Sequence, residues 1–213
     1  MPQAILHDYF RSSASYRVRI GLNLKRVEYR SHLVNIVFGD QQDAAFQAVN
    51  PQGFVPALEI DGHRLTQSLA ILDYLDATHK EPAFVPHDPA ARSHVLAMAL
   101  VIACDVHPLN NLRVMRYLAE TLGQPQPVRD DWYRHWVAEG LAALEAMAAP
   151  TAGDWLAGDA LSLADICLVP QMYNARRLDT PLDPYPTLIR IDKAACSHPA
   201  FAAAHPDNQE KPA

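Results

Sequence analysis

Polar and apolar positions divide the chain into two regimes. Up to about residue 80, short apolar runs alternate with helical patterns. Ala4–Asp8 is a short, partly apolar run that reads as a strand. Ser12, Ser13 and Ser15 then offer hydroxyls of the kind that cap helices, and Tyr16, Val18, Ile20, Leu22 and Leu24 follow with Arg17, Arg19 and Lys25 between them. That alternation also fits a strand. The length of the run, the serines and the helix-forming Leu and Arg decide for a helix. Tyr29–Ile36 reads as a second strand and Gln41–Val49 as a helix. Leu58–Ile60 and His63–Leu65 flank Asp61-Gly62, the strongest hairpin signal in the chain. Ser68 is then expected to cap a helix over Leu69–Thr78. The predicted order is β-α-β-α-β-β-α.

Lys80–Pro89 holds Pro82, Pro86 and Pro89 and reads as a linker. Beyond it the pattern is helical throughout. Ala90–Leu122 is one long helix or two, because Pro108 must kink or end it. Val128–Met147 carries Trp132, Trp136, Leu141, Leu144 and Met147 as an apolar stripe expected to be core. Ser162–Leu178 is a further helix with Pro170 inside it, and Ser162-Leu-Ala-Asp165 is a capping box in its Asp form, which makes Asp165 structural. The expected organisation is therefore α/β plus all-α: an α/β domain over 1–80, a linker over 81–89 and an all-helical domain over 90–213. The polar, proline-bearing tail His205–Ala213 is expected to be loosely ordered.

Composition narrows the classes. The 213 residues are 49% hydrophobic, which excludes wholesale disorder. A net charge of −6 lacks the basic footprint of a nucleic-acid binder. Three cysteines, Cys104, Cys167 and Cys196, are an odd number without paired spacing, unlike a secreted disulfide scaffold. The longest apolar run, Val95–Cys104, has ten residues and is too short to span a bilayer. Met1–Arg11 lacks the pattern of a signal peptide. These readings point to a cytoplasmic protein with neither membrane nor nucleic-acid partner. The sequence holds no G-x-G-x-x-G, P-loop, G-x-S-x-G or H-E-x-x-H motif, which lowers the weight of nucleotide-binding enzymes and common hydrolases. Cys104 and His107 share a C-x-x-H spacing but lack a second ligand pair, so no metal centre is expected.

Three segments carry candidate chemistry. In Asn50-Pro-Gln-Gly-Phe-Val-Pro-Ala-Leu58, Pro56 stands just before a strand. The plain reading is a loop; the functional one is a turn whose Val55 peptide groups pair with a peptide-like ligand, the Pro56 isomer being left open. Gln67-Ser68 opens a helix, whose first-turn N–H groups form an anion site. Residues 11–27 contain Arg11, Arg17, Arg19, Lys25 and Arg26 and no acid. A solvated helix face is the plain reading of that run. The serines at its start, however, stand where a helix N-terminus can stabilise a thiolate.

In these motifs the chain resembles a zeta-class glutathione transferase of the maleylacetoacetate or maleylpyruvate isomerase type. The resemblance rests on Arg-Ser-Ser-x-Ser-Tyr-Arg-Val-Arg-Ile, Asn-Pro-Gln-Gly-x-Val-Pro-Ala-Leu and Gln-Ser-Leu-Ala-Ile, then on Cys104-Asp-Val-His-Pro-Leu-Asn-Asn111 and Leu168-Val-Pro-Gln-Met-Tyr-Asn-Ala-Arg-Arg177. It implies a thioredoxin-like first domain, a helical second domain, a homodimer and glutathione as cofactor. It further implies Ser12, with Ser13 beside it, as the thiol-activating position. Gln52, Val55, Gln67, Ser68, His107 and Asn111 are then the glutathione contacts. The implied reaction is cis–trans isomerisation of a maleyl dicarboxylate by reversible thiolate addition. Arg11, Arg177 and Arg176 are the candidates for the substrate carboxylate, the choice between the last two being open. A conjugating transferase and a non-catalytic binding module of the same fold are the alternatives. Ala14 stands where the family often has cysteine, which weakens reductive activities.

Overall fold

A computed structural model describes residues 4–212. Met1–Gln3, within the stretch read for a signal peptide, and Ala213, the end of the expected tail, lie outside the described residues. The chain forms two compact units, Met1–Phe84 with Cys196–Ala213, and Val85–Ala195.

The first unit follows the predicted order: β1 (Ala4–Asp8), α1 (Ser13–Leu24), β2 (Tyr29–Leu33), α2 (Ala44–Gln47), β3 (Ala57–Ile60), β4 (His63–Thr66) and α3 (Ser68–Thr78). The sheet order is β2-β1-β3-β4, with β1 parallel to β2 and antiparallel to β3. This is the thioredoxin-like arrangement. The hairpin turns through Asp61 (φ 53°) and Gly62 (φ 80°), the two left-handed residues that a tight two-residue turn requires. α1 and α3 pack closely at Gly21, where a Cβ would stand 2.2 Å from Leu72 Cδ2. Two predicted elements are shorter than expected. β2 stops at Leu33 because the Asn35 carbonyl accepts the N–H groups of Phe38, Gly39 and Asp40, folding the chain into a turn. The predicted helix Gln41–Val49 is a 3-10 turn, Asp40–Gln42, followed by the single turn α2.

The basic run corrects the expectation of a solvated face. Arg17, Arg19 and Lys25 are buried. Arg19 Nη1 donates to both Asp8 carboxylate oxygens at 2.7 and 2.9 Å, Nη2 donates to the Phe10 carbonyl and Nε to the Ala204 carbonyl. Lys25 Nζ donates to Asp76 and to the carbonyls of His79 and Pro82. Buried cations persist only when paired and hydrogen-bonded in this way.

The second unit contains α4 (Pro89–Leu100), α5 (His107–Asn110), α6 (Leu112–Arg116), α7 (Gln126–Ala148), α8 (Leu163–Arg177) and all but the last residue of α9 (Pro186–Cys196). Between α4 and α5 the helix widens to a π turn over Val101–Val106, with the His107 N–H reaching back to the Ile102 carbonyl. Pro108, which has no N–H to donate, follows at the start of α5, and the extended backbone of Asn111 (ψ 149°) breaks the run. By length and composition alone, Pro89–Thr121 would suffice to cross a membrane, which goes beyond the ten-residue run read from sequence. The break at Asn111 interrupts it, and Val95, Met98, Ala99, Ile102 and Val106 are buried within the unit.

On α7 the buried stripe is Tyr133, Val137, Leu141, Leu144 and Ala148. Trp132, Trp136 and Met147, expected in the core, are half-buried. Trp132 instead donates its indole N–H to the Leu109 carbonyl at 2.9 Å. The capping box forms as predicted. Asp165 accepts from the Ser162 N–H and hydroxyl, both at 2.8 Å, and from the Leu156 N–H at 2.9 Å.

The end of the chain departs from the expected domain division. Residues 196–213 belong to the first unit rather than to a helical domain spanning 90–213. α10 (Pro199–Ala204) packs on α1, where Asn23 Nδ2 donates to the Ala200 carbonyl and Arg19 reaches Ala204. The tail is also tied down: Pro206 is buried, and Gln209 Nε2 donates to the carbonyls of Ala203 and His205. Tyr16 of α1 packs edge-on to His205 of this tail, with ring centroids 6.1 Å apart.

Candidate active site

In the first unit the site is built around two helix N-termini and one turn. Ser12 is the N-cap of α1, and its Oγ accepts the Ser15 N–H at 3.2 Å. Its own N–H donates to the Tyr9 carbonyl, which fixes the entry of the chain into the helix. The hydroxyl hydrogen has no acceptor among the described residues, so it remains available to an anion in front of α1. Ser13 is buried, Ser12 half-buried. Arg11 is exposed, with its guanidinium 5.0 Å from the Phe10 ring centroid and Nη2 donating to the Tyr9 hydroxyl at 3.3 Å.

The Asn50–Leu58 segment folds around Asn50. That buried side chain donates to the Phe54 carbonyl at 2.7 Å and accepts the Gln52 N–H at 3.1 Å. The Val55–Pro56 bond is cis. Val55 is half-buried, and among the described residues no backbone hydrogen bond uses its N–H or C=O. The β1–β3 register pairs His7 with Ala57, so Val55, two residues before Ala57, lies at the end of the sheet where β1 runs on toward Ser12.

Gln67 and Gln52 meet directly, Gln67 Nε2 donating to Gln52 Oε1 at 2.8 Å. Gln67 has φ 66° and ψ 116°, a left-handed backbone that costs about 1–3 kcal/mol for a non-glycine residue and gathers at ligand sites. Ser68 is not the cap that its sequence position suggests. Gln67 holds the N-cap position, Ser68 is the first helical residue, and the cap makes no side-chain hydrogen bond. The first-turn N–H groups of α3 are thus left to a ligand, as an anion site requires. Ser68 Oγ instead accepts from Nη1 of the buried Arg17 at 3.3 Å. This places a cation beside the start of α3, and the Ser68 oxygen, already accepting, keeps its hydrogen to donate. Arg17 and Asn50 are the residues that motif reading passed over. The Asn-Pro-Gln sequence carried a signal for Asn50, since Asn side chains order turns through their own backbone. Nothing local distinguished Arg17 from its basic neighbours.

The second unit carries its own candidate set. His107 and Asn111 are half-buried, with Asn111 Nδ2 and His107 Nε2 3.4 Å apart, and Asn111 Oδ1 caps α6 by accepting the Arg113 N–H. The two arginines at the end of α8 differ. Arg176 is ion-paired to the buried Asp192 of α9. Arg177 is exposed, and among the described residues it has no carboxylate partner. Its guanidinium faces the Tyr133 hydroxyl of α7, whose pKa burial pushes up to about 12 against the opposing pull of that charge. Trp132, next to Tyr133, holds the Leu109 carbonyl, so the His107–Asn111 segment and Arg177 flank the same stretch of α7. Asp192 and Tyr133 thus give the two arginines different surroundings, a difference that was not legible in the sequence.

Known proteins supply an independent comparison. The family described as Glutathione S-transferase, N-terminal domain matches residues 6–83, and Glutathione S-transferase, C-terminal domain matches residues 133–199. A probable maleylacetoacetate isomerase of Vibrio cholerae is 47% identical over 212 residues, covering 98% of each chain. A holo structure of maleylpyruvate isomerase, a bacterial zeta-class glutathione S-transferase, superposes with a TM-score of 0.95 at 39% identity, covering 98% of this chain and 100% of that one. Maleylacetoacetate isomerase from Anaeromyxobacter dehalogenans, solved with bound dicarboxyethyl glutathione and citrate, gives a TM-score of 0.87 at 44% identity over 97% and 96% of the two chains. The motifs read from sequence, the thioredoxin-like sheet and these full-length likenesses agree, and the chain belongs to the zeta class of the glutathione S-transferase family.

Proposed function

We propose that the protein is a glutathione-dependent cis–trans isomerase converting maleylacetoacetate to fumarylacetoacetate. The observation that carries the proposal is the Ser12 hydroxyl, held at the N-terminus of α1 with a hydrogen still to donate. The residues present fit the tripeptide. The unused Val55 peptide groups suit its backbone, the Gln52–Gln67 amide pair and the Ser68 hydroxyl suit its γ-glutamyl end, and the uncapped start of α3 suits its carboxylate. His107 and Asn111 are assigned as further glutathione contacts. When bound, glutathione would supply the sulfur nucleophile for reversible addition to the conjugated double bond. The relative solved with dicarboxyethyl glutathione supports that chemistry.

The chain's own contribution is to keep the thiol ionised. Lowering a thiol pKa from about 8.5 to about 6.5 requires roughly 2.7 kcal/mol. A helix N-terminus supplies about 0.3–1 kcal/mol and a hydrogen bond to a charged group about 1.5–3 kcal/mol. Ser12 delivers both at one position, with Ser13 beside it. Arg177 is assigned to a substrate carboxylate, since its fork is not engaged by an acid, and Arg176 to holding α8 against α9. Arg11 provides additional positive charge beside Ser12. We further propose a cytoplasmic homodimer, to be checked by sedimentation, where a lone 23.6 kDa species would contradict the dimer.

Maleylpyruvate is the second reading, since a maleylpyruvate isomerase and a maleylacetoacetate isomerase superpose equally well, with TM-scores of 0.95 and 0.94 at 39% identity. Both cis diacids, assayed side by side with and without glutathione, decide. Glutathione-dependent formation of the trans product, faster with maleylacetoacetate, is expected. Faster turnover of maleylpyruvate transfers the assignment to the second substrate, and no glutathione-dependent isomerisation of either ends the proposal.

A further inference from the structure

Arg19 ties the turn before Ser12 to the end of the chain. Phe10 and Arg11 are the central residues of that turn, which the Ser12 N–H closes on the Tyr9 carbonyl at 2.8 Å. The closing bond does not use the Phe10 carbonyl, which belongs to the central peptide. Turn types I and II differ in the orientation of that peptide, so it is the soft element of such a turn. Here it is held, because Arg19 Nη2 donates to the Phe10 carbonyl at 3.0 Å.

The rest of the guanidinium is anchored on two sides. Nη1 donates to both oxygens of the Asp8 carboxylate, at the end of β1, at 2.7 and 2.9 Å. Nε donates to the carbonyl of Ala204, the last residue of α10, at 3.0 Å. Arg19 is 0% and Asp8 1% exposed, so water does not compete for these bonds. A planar fork with fixed donor directions spans such a set of acceptors in one orientation, whereas an ammonium group brings the same charge without the span.

The tail meets the chain on both sides of Ser12. Ahead of it, the Lys211 ammonium lies 6.0 Å from the centroid of the Phe10 ring, which also carries the Arg11 guanidinium at 5.0 Å. Behind it, His205 packs edge-on to Tyr16, whose N–H donates to the Ser12 carbonyl at 2.8 Å. Lys25, also a buried cation of the α1 segment, differs. It joins Asp76, His79 and Pro82 at the far end of that helix.

We propose that Arg19 is a positioning residue for the Ser12 hydroxyl, with segment 204–211 as its backing, so that the end of the chain is part of the thiol-activating site. The proposal rests on the reading of Ser12 given above. A hydrogen bond weakens steeply as it bends and lengthens, so a loosened turn costs thiol ionisation although Ser12 itself is unchanged.

Charge-conserving variants of the full chain test this, since they alter geometry and leave the net charge. The ultraviolet absorbance of the bound glutathione thiolate is titrated against pH, alongside kcat, for Arg19→Lys and Asp8→Glu, with Lys25→Arg as the control. Arg19→Lys should raise the bound thiol pKa by about 1 unit, lower kcat at pH 7 about threefold with convergence by about pH 9, and leave glutathione affinity within about twofold. Asp8→Glu, which displaces the carboxylate by one methylene, should shift the pKa in the same direction, and it decides the matter if Arg19→Lys does not fold. Lys25→Arg should lose stability without moving the pKa. Combined with Ser12→Gly, Arg19→Lys should add little, because both act through one hydroxyl. An unmoved pKa in the folded Arg19→Lys or Asp8→Glu chain, an equal shift in Lys25→Arg, or full additivity with Ser12→Gly overturns the proposal. A shift in Ser12→Gly without one in Arg19→Lys sinks this inference alone, whereas an unmoved pKa in Ser12→Gly sinks the Ser12 reading and this inference with it.

Discussion

Replacing Ser12 separates its two roles. The Oγ caps α1 through the Ser15 N–H at 3.2 Å, and its hydrogen is the one assigned to the thiolate. Alanine loses both roles, whereas glycine keeps most of the cap: N-cap alanine costs about 1 kcal/mol and glycine only a few tenths. Ser12→Gly is therefore the cleaner test of chemistry. Removing a hydrogen bond to a charged group withdraws about 1.5–3 kcal/mol, which raises the bound thiol pKa by roughly 1–2 units. Starting from a bound pKa of about 6.5, the thiolate fraction at pH 7 falls from about 0.8 to between about 0.2 and 0.03, so turnover falls roughly 3- to 25-fold. The loss should shrink as pH rises, with the two rates converging near pH 9–10, and glutathione should still bind. The assay is kcat against pH for the wild-type chain, Ser12→Gly and Ser12→Ala, alongside thermal unfolding. Ser12→Ala should match the kinetics of Ser12→Gly but melt a further ~2–4 °C lower. Superimposable pH–rate profiles for the wild-type chain and Ser12→Gly would falsify the assignment.

Arg177→Ala should raise the KM for the dicarboxylate about tenfold or more while changing that for glutathione less than twofold; Arg176→Ala should leave both and cost about 1 kcal/mol of stability through its lost pairing with Asp192. Steady-state kinetics with either substrate varied read this directly, and the opposite division would exchange the two roles. Asp165→Ala leaves the Leu156 and Ser162 N–H donors buried without their acceptor and should cost about 3–5 kcal/mol in urea unfolding. Asp165→Asn should recover little, because its NH2 group cannot accept, and a loss below about 1 kcal/mol for both variants contradicts this account. Gly140→Ala would favour α7 by about 1 kcal/mol on helix propensity alone. Its new Cβ, however, would stand 1.9 Å from Val106 Cγ2, so a lower melting temperature is expected, rescued by adding Val106→Ala. A stabilised single variant would show that the contact yields freely.

Features governed by near neighbours were legible in the chain. The Asp61-Gly62 turn, the serine-capped start of α1, the Ser162–Asp165 box and the β-α-β-α-β-β-α order each depend on interactions within one turn of helix or one hairpin. The apolar period of α7 was read as well, but its phase was not: the buried face runs through Tyr133 and Val137, because Trp132 is drawn aside to the Leu109 carbonyl.

What only the tertiary structure decided were the fates of the charges. In sequence, Arg17, Arg19 and Lys25 are alike and look solvated. In the fold Arg17 backs Ser68, Arg19 joins Asp8 to the carbonyl of Ala204, and Lys25 closes on Asp76 and Pro82. The environments of Arg176 and Arg177 likewise diverge only through Asp192, which pairs with Arg176 from sixteen positions further along the chain. A charged side chain carries no local preference for its partner. The partner is supplied by whatever distant segment the hydrophobic core brings alongside, and for Arg19 that segment lies 185 residues away.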